Sequence, residues 1–368
     1  MLCMILVSCT GQKTGKENDN NDKIAIEVGE IKFPPQDVLQ LKSYYLSSSV
    51  HVDSIDYLIG YNYRLHSLDC MNLKSKSVTQ IVLPGDGPDA IVRLSGIYAQ
   101  SLDSVWISDE SERAFLIDSV GTIKRMIDLK KYLEDQEQLL INTNYAMFTS
   151  HLFYNASRHS LMFLVKHTPS NTFIVKEAFI DEVGKMATYQ LSSSKVVPDM
   201  SKGYAYINFP NVNFVGENIV YNYPVESSIY MLDIRTNERK YILADSHYTS
   251  NIIEKCTTSG DYATLEKHWL ENSHFYDIMY LPKYKIYARL HADKVDFDEK
   301  KGMEKLINER DLYLMLFDEN MEKIGETKLS NCRYSPFTSW NATYGGIALF
   351  VDNVLDEKNN TDDLTIDI

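Results

Sequence analysis

Residues 115–129 read FLIDSVGTIKRMIDL: an apolar run ending in Asp118, a tight turn containing Gly121, and a second apolar run carrying Lys124 and Arg125 early. An Asp at the first turn position accepts a backbone N–H two residues on, and glycine supplies the positive φ that such a turn needs. The stretch predicts a β-hairpin. The pattern recurs as HSLDCMNLKSKSVTQIVL at Asp69, AFIDEVGKMATYQL at Asp181 with Gly184 in its turn, YMLDIRTNERKYIL at Asp233 and MLFDENMEKIGETKL at Asp318. One hairpin is used five times.

The intervals between these Asp residues are 49, 63, 52 and 85 residues. A four-stranded propeller blade of roughly 40–50 residues plus loops fits the first four units. At an offset of 49, Tyr57 aligns with Trp106, Arg64 with Arg113, Leu68 with Ile117 and Asp69 with Asp118. The long interval holds SGDYATLEKHWLENSHF, in which Tyr262, Leu265 and Trp269 share one helical face and Ser259 is placed to act as N-cap. This predicts a helical insertion between blades.

Each unit also supplies two strands before its hairpin, as FYDIMYL and KIYARLHA do ahead of DLYLMLFD and EKIGETKL. The tail offers TSWNATYG, GIALFVDN and DLTIDI, one strand short of a sixth blade, and KIAIEVGEIKF (residues 23–33) supplies the missing one. Pairing the two ends closes the ring and removes exposed sheet edges. The expected fold is all-β: a six-bladed β-propeller with four-stranded blades, closed by its N- and C-terminal strands, with one helical insertion. Paired β-sandwiches also place strands at short spacing, but they would not repeat one Asp hairpin five times.

The chain opens MLCMILVSCTGQ, and Leu6-Val7-Ser8-Cys9 resembles a bacterial lipobox. Fourteen polar or small residues follow, a composition that reads as a solvated leash. The expected organisation is a lipoprotein signal segment over 1–9, a flexible tether over 10–23 and a single propeller over 24–368, with Cys9 diacylated as the mature N-terminus. The apolar run is short and lacks a basic n-region, so the start codon is expected upstream. No later segment is apolar over the ~18 residues a membrane span needs, so the lipid is the expected anchor. GQKTGKE glances at a phosphate loop, but the glycine spacing is wrong and no Ser or Thr follows the Lys.

A formal net charge of −14 repels phosphate backbones and excludes nucleic acid as a partner. The 25 Tyr against 3 Trp suit pleated, half-wet sheet surfaces. Cys70, Cys256 and Cys332 make neither a disulfide framework nor a zinc spacing and read as small, mostly buried apolar residues.

LPGDGPDAI followed by SVWISDESERAFLIDSVGTIK resembles one unit of the six-bladed propellers of the NHL and TolB-like kind. With the lipobox, the tether and the tail YGGIALFVDNVLDEKNNTDDLTIDI, the chain resembles the Bacteroidetes propeller lipoproteins of unknown function. That resemblance implies a fold and an envelope location rather than a reaction, because such propellers serve as binding platforms, scaffolds and, less often, enzymes.

The nine His form no H-E-x-x-H pair, and no G-x-S-x-G elbow occurs, so neither a metal site nor a cofactor is expected. DKVDFDEKKG (293–302) opens like a calcium loop, but its Gly and closing Glu are misplaced, and it reads as a solvated charged loop. Asp86 and Pro88 of PGDGPDA are the candidate ligand-binding residues, since this turn drops a strand from the rim into the channel. Their other reading is a turn that sets φ and stops a strand. The expected function is a non-catalytic binding or scaffolding module on the outer membrane, monomeric, gripping an envelope protein or glycan. A propeller-type hydrolase or lyase acting on a carbohydrate or lactone is the alternative.

Overall fold

The computed structural model describes residues 26–35, 39, 41–141, 149–182, 184–197, 204, 207–256, 261–336, 340–359 and 362–368. The lipobox and the tether lie outside them.

Six antiparallel sheets form the blades. Blade 1 is β2 to β5 (Ser47–Val52, Ile55–Asn62, Ser67–Asn72, Val78–Val82), and blade 2 is β6 to β9 (Leu94–Ser101, Ser104–Asp109, Arg113–Ile117, Ile123–Asp128). Blade 3 holds β10 (Glu137–Leu139), β11 (Phe153–Asn155), β12 (Ser160–His167), β13 (Thr172–Phe179) and β14 (Met186–Gln190). Blade 4 is β15 to β18 (Asn211–Val215, Asn218–Asn222, Ile229–Asp233, Arg239–Ile242), and blade 5 is β19 to β22 (His274–Leu281, Ile286–Ala292, Leu312–Phe317, Lys323–Lys328). Blade 6 combines β23 (Trp340–Ala342), β24 (Ile347–Phe350) and β25 (Leu364–Asp367) with β1 (Glu30–Phe33), which pairs antiparallel to β25 as the outermost strand. The two ends of the chain close the ring as expected.

Six hydrophobic clusters each fill one seam between neighbouring blades. The closing seam packs Phe33, Tyr44, Leu58, Met71, Phe350 and Ile366, with Tyr44 and Phe350 rings 5.6 Å apart. At the hub, side chains staple the innermost strands to a neighbour's backbone at three seams. Ser48 Oγ accepts from Ala99 N, Asn341 Nδ2 donates to Ser47 O, and Asn213 Nδ2 donates to Ile278 O. Such bonds satisfy backbone groups that the blades' own ladders leave open.

Among the described residues three of the five predicted Asp turns are held by their carboxylate as expected; β13 and β14 also pair across the turn at Asp181, but Val183 in that turn lies outside the described residues. Asp118 Oδ1 accepts from Val120 and Thr122 N, Asp233 Oδ1 from Arg235 and Thr236 N, and Asp318 Oδ1 from Asn320 and Glu322 N. Asp69 does not belong to this set. It lies inside β4, and the turn is held three residues later by Asn72, whose Oδ1 accepts from Lys74 and Ser75 N. An amide oxygen serves a turn as well as a carboxylate does, so a register drawn from Asp69 falls three residues short.

Other details also differ. The innermost strand of blade 3 is split, β10 covering one end of β12 and β11 the other. The inserted helix, α1 (Tyr262–Leu270), has Asp261 at its N-cap and buries Trp269 and Leu270, while Tyr262 is exposed; Ser259 lies outside the described residues. A second helix, α2 (Met303–Asn308), interrupts blade 5. The charged loop before it is less solvated than its composition suggests, because Val295 and Phe297 pack against the cluster that holds Trp269. Cys70 is buried, whereas Cys256 and Cys332 are only half-buried.

Candidate functional site

The innermost strands surround a cavity of about 390 Å³ on the ring axis, lined by all six blades. It falls within the ~300–1,000 Å³ usual for small-molecule sites. The lining begins at Ser47, Ile97, His151, Asn213, Asp277 and Trp340 and runs to the turns that follow the innermost strands, at Gly216, Pro282 and Tyr344. His51, Gly216, Pro282 and Tyr344 are exposed, whereas Ser47 and Asp277 are buried. The mouth therefore lies on the face of those turns, and the floor lies deeper among the blades.

The floor is a polar constellation built by three separate devices. β19 carries a bulge between Phe275 and Ile278, where one extra residue re-aims Asp277 toward the axis. The segment leading into β11 leaves its own sheet and bridges in parallel to blade 4 at Ser150 and Val212, which fixes His151 through its N–H to Val212 O. Trp340 opens β23, with its ring edge-on to Tyr276 at 4.6 Å. Asp277 Oδ1 accepts from Trp340 Nε1 at 3.1 Å, and Asp277 Oδ2 lies 3.1 Å from His151 Nε2. A carboxylate with both oxygens engaged orients the imidazole and fixes which nitrogen faces it. The pair reaches from blade 3 to blade 5, past blade 4.

The walls differ in character. Blades 2 to 4 present Tyr98, Phe153 and Phe214, with Phe153 stacked on Phe214 at 5.0 Å and edge-on to Tyr98 at 5.2 Å. Burial raises the Tyr98 phenol above its ordinary pKa, which keeps it a neutral O–H. Blades 5, 6 and 1 present the polar Asp277, Asn341, Thr343 and the run Ser47 to Ser49 among Met279, Tyr280, Trp340 and Ala342. At the mouth Tyr344 stacks on His51 at 4.0 Å, and Asp56 ties the two blades by accepting from Gly345 N while pairing with His51. Asp277 is the one carboxylate among the described lining residues, so the paired carboxylates of glycoside hydrolysis are not assembled in this lining.

Asp86 and Pro88 are exposed in the loop from β5 to β6, on the face opposite the mouth, and do not line the cavity. The chain does drop there from rim to hub. The loop is pinned from blade 2, where Arg113 Nη2 donates to Ala90 O and Asp109 Oδ2 accepts from Val92 N. His151 carries no local sequence signal. Asp277 does: it is a carboxylate in the middle of the apolar strand HFYDIMYL, where a charge is costly unless it is held.

Ring, seams and hub cavity together define a six-bladed β-propeller with an axial cleft. The chain belongs to the family described as "Domain of unknown function (DUF4221)", which matches residues 17–328. The crystal structure of a DUF4221 member from Bacteroides vulgatus is similar at TM-score 0.73 and 14% identity, covering 93% of this chain and 97% of that one. A candidate exported protein from Bacteroides fragilis matches at TM-score 0.49 and 13% identity over 82% of this chain and 75% of that one. A chain of a nidogen/laminin complex matches at 0.44 and 11% identity, over 83% of each. At those two scores no argument rests on the likeness. No curated protein matches.

Proposed function

We propose that the protein is a non-catalytic binding module of the cell envelope, held at the outer membrane by lipid on Cys9 and receiving its ligand in the hub cavity. The observation that carries this reading is the cavity itself. Six strands, with staples from Ser48, Asn213 and Asn341 across three of their seams, build a rigid pocket with an aromatic wall facing a more polar one. Preformed walls of this kind favour binding because little ordering is needed when a ligand arrives. Asp86 and Pro88, exposed on the opposite face, would serve a macromolecular partner there.

The His151–Asp277 pair favours a second reading, a hydrolase or lyase acting on a carbohydrate or lactone, since a carboxylate-oriented imidazole can move a proton. Capture from native membranes by the lipidated protein, run beside a turnover screen on glycans and lactones, separates the two. A stable envelope partner or polysaccharide without turnover supports binding. Turnover that Asp277→Asn abolishes overturns it.

A further inference from the structure

We infer that the cavity takes the terminal sugar ring of a glycan, inserted end-on with its C–H face against the aromatic wall and its hydroxyls toward the Asp277 floor; this deepens the binding reading and rests on it. Three observations converge. The first is the two-sided lining. A pyranose has an apolar C–H face and a rim of hydroxyls, and the cavity sets Tyr98, Phe153 and Phe214 opposite Asp277, Thr343 and Ser47 to Ser49. Aromatic faces attract polarised C–H groups, and a carboxylate and an imidazole hydrogen-bond hydroxyls.

The second is charge. No Lys or Arg is found among the described lining residues, while a buried carboxylate is, so an anionic ligand meets repulsion without compensation. A cation is poorly served too, because Asp277 is the one acid among the described lining residues, so a cation would find no second carboxylate there. A wholly apolar ligand would dehydrate the polar wall and return no hydrogen bonds, which is costly. A neutral polyol remains.

The third is shape. Ser47, Ile97 and Asp277 are buried at the floor and His151, Asn213 and Trp340 half-buried, whereas the turn residues are exposed, so the wider opening for a ligand is at the turns. At the mouth, Tyr344 (41% exposed) rests on His51, and Tyr284 (51% exposed) donates its hydroxyl to Gly345 O. These rings are held in place yet open to solvent, as a platform for the next sugar would be.

The test is a microarray of glycans tethered by their reducing ends, followed by calorimetry with the free oligosaccharide of the strongest signal, with inorganic phosphate and a neutral tetrapeptide as comparison probes. Saturable binding of an oligosaccharide is expected, with affinity falling at least tenfold in both Tyr98→Ala and Asp277→Asn. Tyr344→Ala, at the exposed mouth and outside the core, is expected to weaken an oligosaccharide severalfold and the free monosaccharide much less, which keeps the test valid if Asp277→Asn unfolds. Oligosaccharide binding unmoved by Tyr98→Ala and Tyr344→Ala overturns the inference, as does tighter binding of phosphate or peptide. No glycan binding while an envelope protein still co-purifies overturns the sugar assignment alone and leaves the binding reading standing; loss of both removes the two together.

Discussion

Tyr44 Oη donates to Asp69 Oδ2 across 2.7 Å, and both groups are fully buried where the sixth blade meets the first. Burial raises the Asp69 pKa, while hydrogen bonds from Gln80, Tyr44 and Asn62 oppose the rise. The sign follows. A carboxyl whose folded pKa exceeds its unfolded value is best tolerated in acid, and that stability is lost as pH rises from the unfolded value to the folded one. Tyr44→Phe removes a donor to the ionised form and should cost about 1.5–3 kcal/mol at pH 7, the range for a hydrogen bond to a charged group. The penalty should shrink in acid: because its folded pKa is raised, the buried Asp69 carboxyl is already protonated at about pH 4, the ordinary carboxyl range. Urea unfolding at both pH values measures it; an equal penalty at both would sink this account.

Gly60 sits directly beneath that tyrosine. A Cβ added there would lie 2.4 Å from Tyr44 Cγ and 2.5 Å from its Cδ1. Gly60→Ala must therefore displace the ring and break its bond to Asp69, and should destabilise the protein more than Tyr44→Phe does. Because the two effects share one contact, they should not add. In a double-mutant cycle, Tyr44→Ala should cost clearly less in the Gly60→Ala background than in the native chain.

The ring is readable because its evidence is local. Asp118, Asp233 and Asp318 mark their own turns, and the tail's shortage of a strand points to the front of the chain. What escapes depends on register or on distance. Asn72 holds the first turn as an Asp would, so a pattern keyed to one residue type lands on Asp69, whose carboxylate serves a buried seam instead. The split strand of blade 3 and the helix α2 have no short-range signature. The hub cavity is less visible still, since its lining comes from six strands up to some three hundred residues apart, each alternating like any other. Asp277 within HFYDIMYL is the one local signal of it.

Closure itself can be tested at Phe33. This side chain is fully buried in the closing seam and lies on β1, opposite Leu364. Arg333 reinforces the join by donating to both oxygens of Asp367 and to Glu30 Oε2, so one guanidinium grips residues near both ends of the chain. Phe33→Ala should cost about 3–5 kcal/mol, as large-to-small changes at fully buried aromatics do. A chain beginning at Pro34 should melt well below one beginning at Ile24. If the shorter chain melts like the longer one, β1 does not lock the ring.

Asp118 offers a pH test of the repeated turn. A hydrogen bond from Lys124, with further bonds from Thr122 and Val120 N, holds its carboxyl down at about 2. A depressed folded pKa contributes stability above the unfolded value, lost as pH falls through the folded one. The contribution should therefore fade between about pH 4 and pH 2. Asp118→Ala should lower the melting temperature modestly at pH 7, and the difference from the native chain should close at pH 2. A difference that persists unchanged at pH 2 would place the effect elsewhere.

The anchor proposed at Cys9 has a physical consequence that fractionation can read. No helix of the described residues is long and apolar enough to cross a membrane. One acyl chain alone holds a protein only marginally and reversibly, because each buried CH₂ contributes about 0.8 kcal/mol, and stable attachment takes two chains or a chain with a basic patch. A net charge of −14 makes help from a basic patch unpromising, so retention should depend on a diacylated Cys9. The native chain, expressed with its full leader in a lipoprotein-processing host, should sediment with outer membranes and carry a mass increment for two or more acyl chains. Cys9→Ala should lose metabolic palmitate label and move at least tenfold into the fraction that remains soluble after salt washing. Unchanged labelling in Cys9→Ala would show that this cysteine is not the acceptor, and label without membrane retention would show that the lipid is not what holds the propeller in place.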